Sequence, residues 1–138
     1  MSKIARIIVW IVVAGVLLII GLFIAPVLYD VFRSANQKRA LQGRTDYPQI
    51  AAACVTIARG VTSDSVPLKP SDPLVPSLLR SLSPTYIDAH TNNITLEFHG
   101  GFDHYGYRVQ QLDADPRRWT ISVYTEQGQK LLTTITND

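Results

Sequence analysis

The chain has 138 residues and a formal net charge of +2, which leaves room for one small domain. The average charge hides two unlike halves. Residues 1–45 carry six basic residues and one acidic residue, a net +5, whereas residues 46–138 carry seven basic and ten acidic residues, a net −3. A nucleic-acid-binding face needs basic residues clustered on the folded part, so nucleic acid is not expected as a partner. The single cysteine excludes an intramolecular disulfide and a multi-cysteine zinc site.

A membrane-spanning helix is predicted over residues 7–25, behind a basic tail of residues 1–6. These nineteen residues carry no charge, and as a helix they span about 28 Å, close to the ~30 Å hydrocarbon core of a bilayer. A cleaved signal peptide is the alternative. However, the run is longer than the apolar region of a signal peptide, and Phe23 stands where a cleavage site needs a small residue. We therefore expect a retained single-pass anchor in a cell inner or plasma membrane.

The flanking charges favour two opposite orientations. Lys and Arg are more numerous after the apolar run than before it, which would place the C-terminal side in the cytoplasm. A six-residue tail before a long apolar run is more typical of a signal anchor with an exported domain. We expect the C-terminal domain to be exported.

Residues 26–45 are predicted to form a helical stalk. Apolar residues recur there at the helical spacing i, i+3, i+4, i+7, namely Leu28, Val31, Phe32 and Ala35. Three basic side chains are candidates for contact with anionic lipid headgroups: Arg33, Lys38 and Arg39. The alternative is a stalk surrounded by water.

Residues 46–138 are predicted to form one globular α+β domain. Its first helix is expected over residues 46–59, with Cys54 buried on the apolar face as a small hydrophobic residue. Four prolines mark residues 61–76 as a loop, and a short helix is expected over residues 76–82.

The rest of the domain alternates apolar and polar residues, which predicts an antiparallel meander of about five strands packed on one or two helices. Each hairpin implies a register of cross-strand pairs. The central hairpin is expected to pair Phe98 with Tyr105, Leu96 with Tyr107 and Ile94 with Val109. A turn at Asn92-Asn93 is expected to pair Ala89 with Leu96 and Ile87 with Phe98. A three-residue loop over residues 127–129 is expected to set Ile121 against Ile135.

Four side chains of this sheet form a weak candidate metal site. His99 and His104 are expected to face each other across the central hairpin, with Glu97 one step along and Asp88 opposite Glu97. Two imidazoles and two carboxylates can bind zinc or act as an acid–base pair. The alternative is a solvated polar face on which Arg108 balances the carboxylates. Because no metal-binding or nucleophile motif supports a site, we expect the solvated face and no cofactor.

Two resemblances bear on the class of protein. The segments Leu78-Leu79-Arg80, Pro84-Thr85-Tyr86 and Gly100-Gly101-Phe102-Asp103-His104-Tyr105-Gly106-Tyr107 resemble small uncharacterised bacterial proteins with one membrane span, which implies no activity. A long apolar helix before an antiparallel sheet is also similar in shape to type IV pilins and pseudopilins. The Gly-Phe processing site and the glutamate of that family are not found before or within residues 7–25.

Together these patterns predict a single-pass, membrane-anchored binding or scaffolding domain without catalysis. Its expected partners are the lipid bilayer and either another protein or further copies of itself. Two alternatives stay open: a pilin-like subunit of a filament or secretion assembly, and a metal-dependent enzyme that uses the His99 and His104 hairpin.

Overall fold

The computed structural model describes residues 2–100 and 103–138, without the side chains of residues 99 and 100. The helices in these residues are α1 (Lys3–Gln42), α2 (Tyr47–Gly60) and α3 (Ser77–Ser81). The strands are β1 (Val66–Leu68), β2 (Tyr86–Ala89), β3 (Asn93–Gly100), β4 (Asp103–Leu112), β5 (Asp115–Thr125) and β6 (Gly128–Thr136).

The described strands form one antiparallel sheet in chain order, from β1 to β6. The predicted α+β fold, a long apolar helix followed by a meander packed on helices, is therefore confirmed. The sheet has one strand more than expected, because β1 lies within the proline-rich stretch predicted to be a loop. Pro67 is tolerated there since β1 is an edge strand, in which one backbone amide needs no ladder partner.

The central hairpin has the predicted register. Phe98 pairs with Tyr105, Leu96 with Tyr107 and Ile94 with Val109. The preceding hairpin differs from the prediction by two residues, since Ala89 pairs with Ile94 and Ile87 with Leu96. Its turn is closed by a hydrogen bond from the His90 amide to the Asn93 carbonyl, one residue earlier than expected. A shift of two leaves each side chain on its predicted face.

The last hairpin also differs from the prediction. Ile121 pairs with Thr133, and Ile135 pairs with Trp119 instead. The turn is shorter than expected, because Gly128 has a positive φ of 127° and already pairs with Thr125. The register then shifts by one residue between Ile121 and Ser122, as in a β-bulge.

The core lies between one face of the sheet and the helices. α2 packs against β3, β4, β5 and β6, and α3 packs against α2. The observed α2 matches the predicted helix within a residue at each end, and Cys54 is fully buried on its apolar face as expected. The opposite face of the sheet carries the polar side chains of the alternating strands.

α1 changes character along its length. It continues as one helix through Pro26, and it is long and apolar enough to cross a membrane. Its large apolar side chains are exposed from Ile4 to Phe32, whereas Ser34 and Leu41 are buried against the sheet. The stalk was predicted over residues 26–45, and its second half, from Ser34 to Leu41, thus lies against the sheet.

Candidate functional site

The junction between α1 and the sheet is held by three polar contacts that follow one another along both elements. Ser34 Oγ donates a hydrogen bond to Asp103 Oδ2 (3.1 Å), the Tyr105 hydroxyl donates to Gln37 Oε1 (2.8 Å), and the Tyr107 hydroxyl donates to the Leu41 carbonyl. Because the residue numbers rise together, the last turns of α1 run alongside β4 in the same direction. Seven helical residues rise about 10 Å and four strand residues about 13 Å, so the two spacings match.

A lysine at the centre of this junction joins two turns of the sheet to the helix. Lys38 Nζ lies 2.8 Å from Asp103 Oδ2 and 2.9 Å from Glu126 Oε1. It also lies 5.2 Å from the centre of the Tyr105 ring. We call Lys38, Asp103, Glu126 and Tyr105 the Lys38 cluster. Hydrogen bonds from Lys38 hold the pKa values of the Asp103 and Glu126 carboxyls below their ordinary range. The cluster therefore stays ionised at neutral pH and fixes the helix relative to the sheet.

The three basic residues proposed to touch lipid headgroups have different surroundings. The Lys38 side chain is only 17% exposed and is engaged by the two carboxylates. Arg33 and Arg39 are exposed on the surface of the helix. Arg33 and Arg39 are therefore the two of the three that are free to reach a membrane surface.

The histidine hairpin has the predicted backbone register, with position 99 opposite position 104. Nδ1 of His104 lies 2.7 Å from Oε1 of Glu97, and the His104 side chain is 69% exposed. The side chain of residue 99 lies outside the described part of the structure. The residue opposite Glu97 on β2 is Tyr86, which corrects the expected pairing of Glu97 with Asp88.

Asp88 instead belongs to a second group on the same face. It pairs with Thr95 in the sheet, accepts a hydrogen bond from Ser65 (3.2 Å) and lies 3.2 Å from His90 Nε2. The shift of the β2–β3 register by two residues separates Asp88 from Glu97. Among the side chains that the structure describes, no group of three or more His, Cys, Asp or Glu residues is placed to hold a metal ion.

Arg108 was expected to balance the carboxylates of this face. Its guanidinium lies over the ring of Tyr124, 5.5 Å from the ring centre. Tyr124 in turn lies beside Gly106, its partner across the strands. A Cβ atom at Gly106 would come within 1.8 Å of the Leu96 carbonyl oxygen and 3.0 Å of the Tyr124 hydroxyl. The aromatic ring thus fills space that only a glycine leaves open, and burial raises the pKa of the Tyr124 phenol.

The single cysteine is placed where the sequence predicted it. Cys54 lies in the core, and burial raises the pKa of its thiol. A buried, protonated thiol lacks both the thiolate and the access that a nucleophile needs. Cys54 therefore acts in packing.

The sequence reasoning missed the residues that join α1 to the domain. Ser34, Gln37 and Leu41 stand at i, i+3 and i+7, on one face of the helix. That spacing was a usable signal for a packed helix face. It was obscured because the exposed apolar stripe beginning at Leu28 has the same period and ends beside it.

Comparison of the chain with protein-family models, with curated proteins and with solved structures finds no match.

Proposed function

We propose that this protein is a single-pass membrane-anchored domain that binds or scaffolds another protein and performs no catalysis. The observation that carries the proposal is the two-part nature of α1. Its large apolar residues from Ile4 to Phe32 are exposed, whereas Ser34 and Leu41 in its last turns are buried against the sheet, Leu41 as part of the core. A helix that is apolar on all sides and uncovered by protein is suited to lipid.

The packing of α1 supports a scaffolding role. A domain tethered by a flexible linker samples many orientations. Here the helix that would leave the bilayer is hydrogen-bonded to β4 and paired with two sheet turns through Lys38. The domain is therefore presented to a partner at a fixed orientation relative to the anchor.

Strand β6 is the edge of the sheet best suited to a partner. It is nine residues long, contains no proline and carries Lys130 as its one charge, and the side chain of Leu131 is 58% exposed. The other edge, β1, has three residues and includes Pro67. A long open edge with little charge can accept an added strand through its free backbone groups.

The direction of β6 favours a different protein over a second copy at this edge. β6 is antiparallel to β5, which is antiparallel to β4, so β6 and β4 point the same way apart from a twist of about 20–25° per strand. A symmetric antiparallel pair of β6 strands would reverse one copy and point its α1 in the opposite direction. Two copies anchored in one bilayer cannot meet in this way, whereas a segment of another protein can.

The polar face of the sheet supports the non-catalytic part of the proposal. His104 and Glu97 are close enough to exchange a proton, but the His104 side chain is 69% exposed on an open face of the sheet. Catalytic pairs are generally held in a cleft that excludes water. The Glu97–His104 pair is therefore better explained as a surface contact.

Membrane fractionation tests the anchor. The full-length chain should stay in the carbonate-washed membrane pellet, and residues 33–138 alone should be recovered in the soluble fraction. A reporter enzyme that is active only outside the cytoplasm, fused after Asp138, should be active if the domain is exported, as we propose. Crosslinking in membranes should yield single copies or a complex with another protein. A full-length chain in the soluble fraction would contradict the anchor, and a ladder of oligomers would favour the filament subunit.

A further inference from the structure

We propose that one end of the sheet lies against the lipid headgroup layer. This end contains the start of β4, with Asp103 and His104, and the β5–β6 turn. This inference rests on the proposed membrane anchor and deepens it, since it specifies which part of the domain meets the bilayer.

The exposed apolar surface of α1 is longer than the predicted span. Beyond Ala25 it continues through Val27, Leu28, Val31 and Phe32, each about half exposed or more. From Ile7 to Phe32 the helix rises about 38 Å, compared with a hydrocarbon core of about 30 Å. Both ends of this stretch must therefore lie at the interfaces, or the helix must tilt.

Two aromatic residues indicate where the interfaces are. Trp10 is 72% exposed and Tyr29 is 66% exposed, and nineteen residues of helix separate them by about 28 Å. Trp and Tyr prefer the two membrane–water interfaces, which are separated by about this distance. Asp30 follows Tyr29 at once, and a carboxylate opposes deeper insertion of this end. The bilayer is therefore centred between Trp10 and Tyr29 rather than between Ile7 and Ala25.

This depth brings the domain down to the membrane surface. Ser34 is five residues beyond Tyr29, about 7–8 Å along the helix, and the headgroup layer is about 5–8 Å thick. Ser34 is hydrogen-bonded to Asp103 at the start of β4. With a span that ended at Ala25, Ser34 would lie about 14 Å away, beyond the headgroups. The two depths thus differ in whether this end of the sheet reaches the headgroups.

The strand directions identify which residues lie at the membrane end of the sheet, together with Asp103. β4 and α1 run in the same direction, so β4 begins at the membrane end of the sheet and leaves it. β5 is antiparallel to β4 and returns to the membrane end, where Glu126 reaches Lys38. The β4–β5 turn at Asp113 and Ala114 lies at the opposite end, about 30 Å from Asp103 along β4.

The charges at this end of the sheet are compatible with a position against lipid. The carboxylates of Asp103 and Glu126 would repel the phosphates of an anionic leaflet. Both are paired with Lys38, and the neighbouring Arg33 is exposed. The two basic side chains together balance the two carboxylates at this end of the sheet, and the exposed Arg33 guanidinium can bind a lipid phosphate.

Fluorescence quenching in vesicles tests this placement with the full-length chain. Cys54 is buried and can stay in place, and a bimane label is attached to one added cysteine in each of Leu17→Cys, His104→Cys, Gln127→Cys and Ala114→Cys. The vesicles are phosphatidylcholine containing a lipid with a nitroxide either on the headgroup or deep in the acyl chain. Leu17→Cys reports insertion of the helix, and Ala114→Cys is the matched control at the far end of the sheet.

We expect the headgroup nitroxide to quench the labels at 104 and 127 about threefold or more over the label at 114. Equal quenching at positions 104, 127 and 114, together with deep quenching at 17, would overturn this placement and leave the anchor intact. Loss of deep quenching at 17 would overturn the anchor and this inference with it. Because positions 104 and 127 lie on different hairpins, disturbance of the Glu97–His104 contact in one variant does not remove the test.

Discussion

Lys38 and Asp103 lie 65 residues apart in the chain, and their side chains are 2.8 Å apart in the structure. The contact joins the helix that carries the exposed apolar surface to the first residue of β4. Glu126 reaches the same ammonium from the turn between β5 and β6. A single basic side chain thus connects α1 with two hairpins, so the orientation of α1 on the sheet depends on residues outside both the core and the exposed apolar surface of the helix.

Replacement of Lys38 should lower stability in a pH-dependent manner. Lys38→Met should lower the Tm of the full-length chain in detergent micelles by about 2–5 °C at neutral pH, since partly exposed ion pairs contribute modestly. The pKa values of Asp103 and Glu126 are lowered in the folded state. Their contribution is therefore present above an unfolded carboxyl pKa of about 4 and is lost as the pH falls through the folded values.

The difference in Tm between the wild type and Lys38→Met should consequently shrink as the pH falls below about 5, through the unfolded pKa and on to the lower folded values. Arg39→Met, at the exposed neighbouring position, is the control and should leave the Tm nearly unchanged. A gap that stays constant or widens in acid would show that the cluster does not act through these carboxylates.

The packed end of α1 predicts where a stable soluble fragment must begin. Residues 33–138 retain Leu41, which is 5% exposed, and its carbonyl, which accepts hydrogen bonds from Tyr47 and Tyr107. Residues 46–138 lack both. Removal of a buried leucine costs about 2–5 kcal/mol, and the buried Tyr107 hydroxyl would lose its acceptor.

Urea unfolding monitored by circular dichroism should therefore give a clearly lower free energy of unfolding for residues 46–138 than for residues 33–138. Leu41→Ala within residues 33–138 should reproduce much of the difference. Equal stability of the two fragments would mean that the helix end rests on the sheet without stabilising it.

The central hairpin was predictable because both its strands alternate strictly and its apolar residues pair in only one register. Phe98, Leu96 and Ile94 each face an apolar or aromatic partner, and a slip of one residue would expose all of them. The flanking hairpins were less well determined. Moving Ala89 from Leu96 to Ile94 keeps an apolar pair on the same face, so the side-chain pattern alone could not choose between the two registers.

The junction of α1 with the sheet was missed for a different reason, although the helical spacing of Ser34, Gln37 and Leu41 was a signal for it. Ser34, Gln37 and Lys38 are polar, and a polar helix face beyond a membrane span indicates contact with water unless its partners are known. Those partners, Asp103, Tyr105 and Glu126, are at least 65 residues away in the chain. Strand β1 was missed because four prolines within residues 61–76, one of them Pro67 in the middle of the strand, are typical of a loop.

The core pair Leu96 and Tyr107 gives a direct test of the sheet faces. Both residues are fully buried and opposite each other, so Leu96→Ala should cost about 2–5 kcal/mol of unfolding free energy. Thr95→Ala, the neighbouring residue on the polar face, should stay within about 0.5 kcal/mol. Similar losses at both positions in chemical denaturation would contradict the assignment of faces.

Gly106 should tolerate no side chain. In Gly106→Ala the new Cβ would meet the Leu96 carbonyl oxygen at 1.8 Å, and since that atom is backbone the two strands would have to separate. We expect a loss of at least about 2 kcal/mol. Gly60→Ala is the matched control, because its Cβ would lie 3.6 Å from a Leu74 side-chain atom, an ordinary contact. That variant should keep the wild-type Tm or raise it slightly. A Gly106→Ala variant as stable as Gly60→Ala would show that the strands move apart at Gly106 at little cost.

The histidine hairpin should not bind zinc. If Glu97, His99 and His104 bound zinc, the folded state would gain stability in proportion to ln(1 + [Zn]/Kd), and the gain would vanish as the histidines protonate below about pH 6.5. We expect neither effect. Asp88 is held elsewhere by Ser65 and His90, and His104 is mostly exposed. The described side chains thus provide too few oriented ligands for a closed site. Thermal melts of the full-length chain at about pH 5.5 and pH 7.5, with EDTA or with zinc, should superimpose at each pH. His104→Ala should melt close to the wild type under all four conditions. A zinc-dependent rise at the higher pH that His104→Ala abolishes would contradict this expectation and would favour the metal-dependent enzyme over the binding domain.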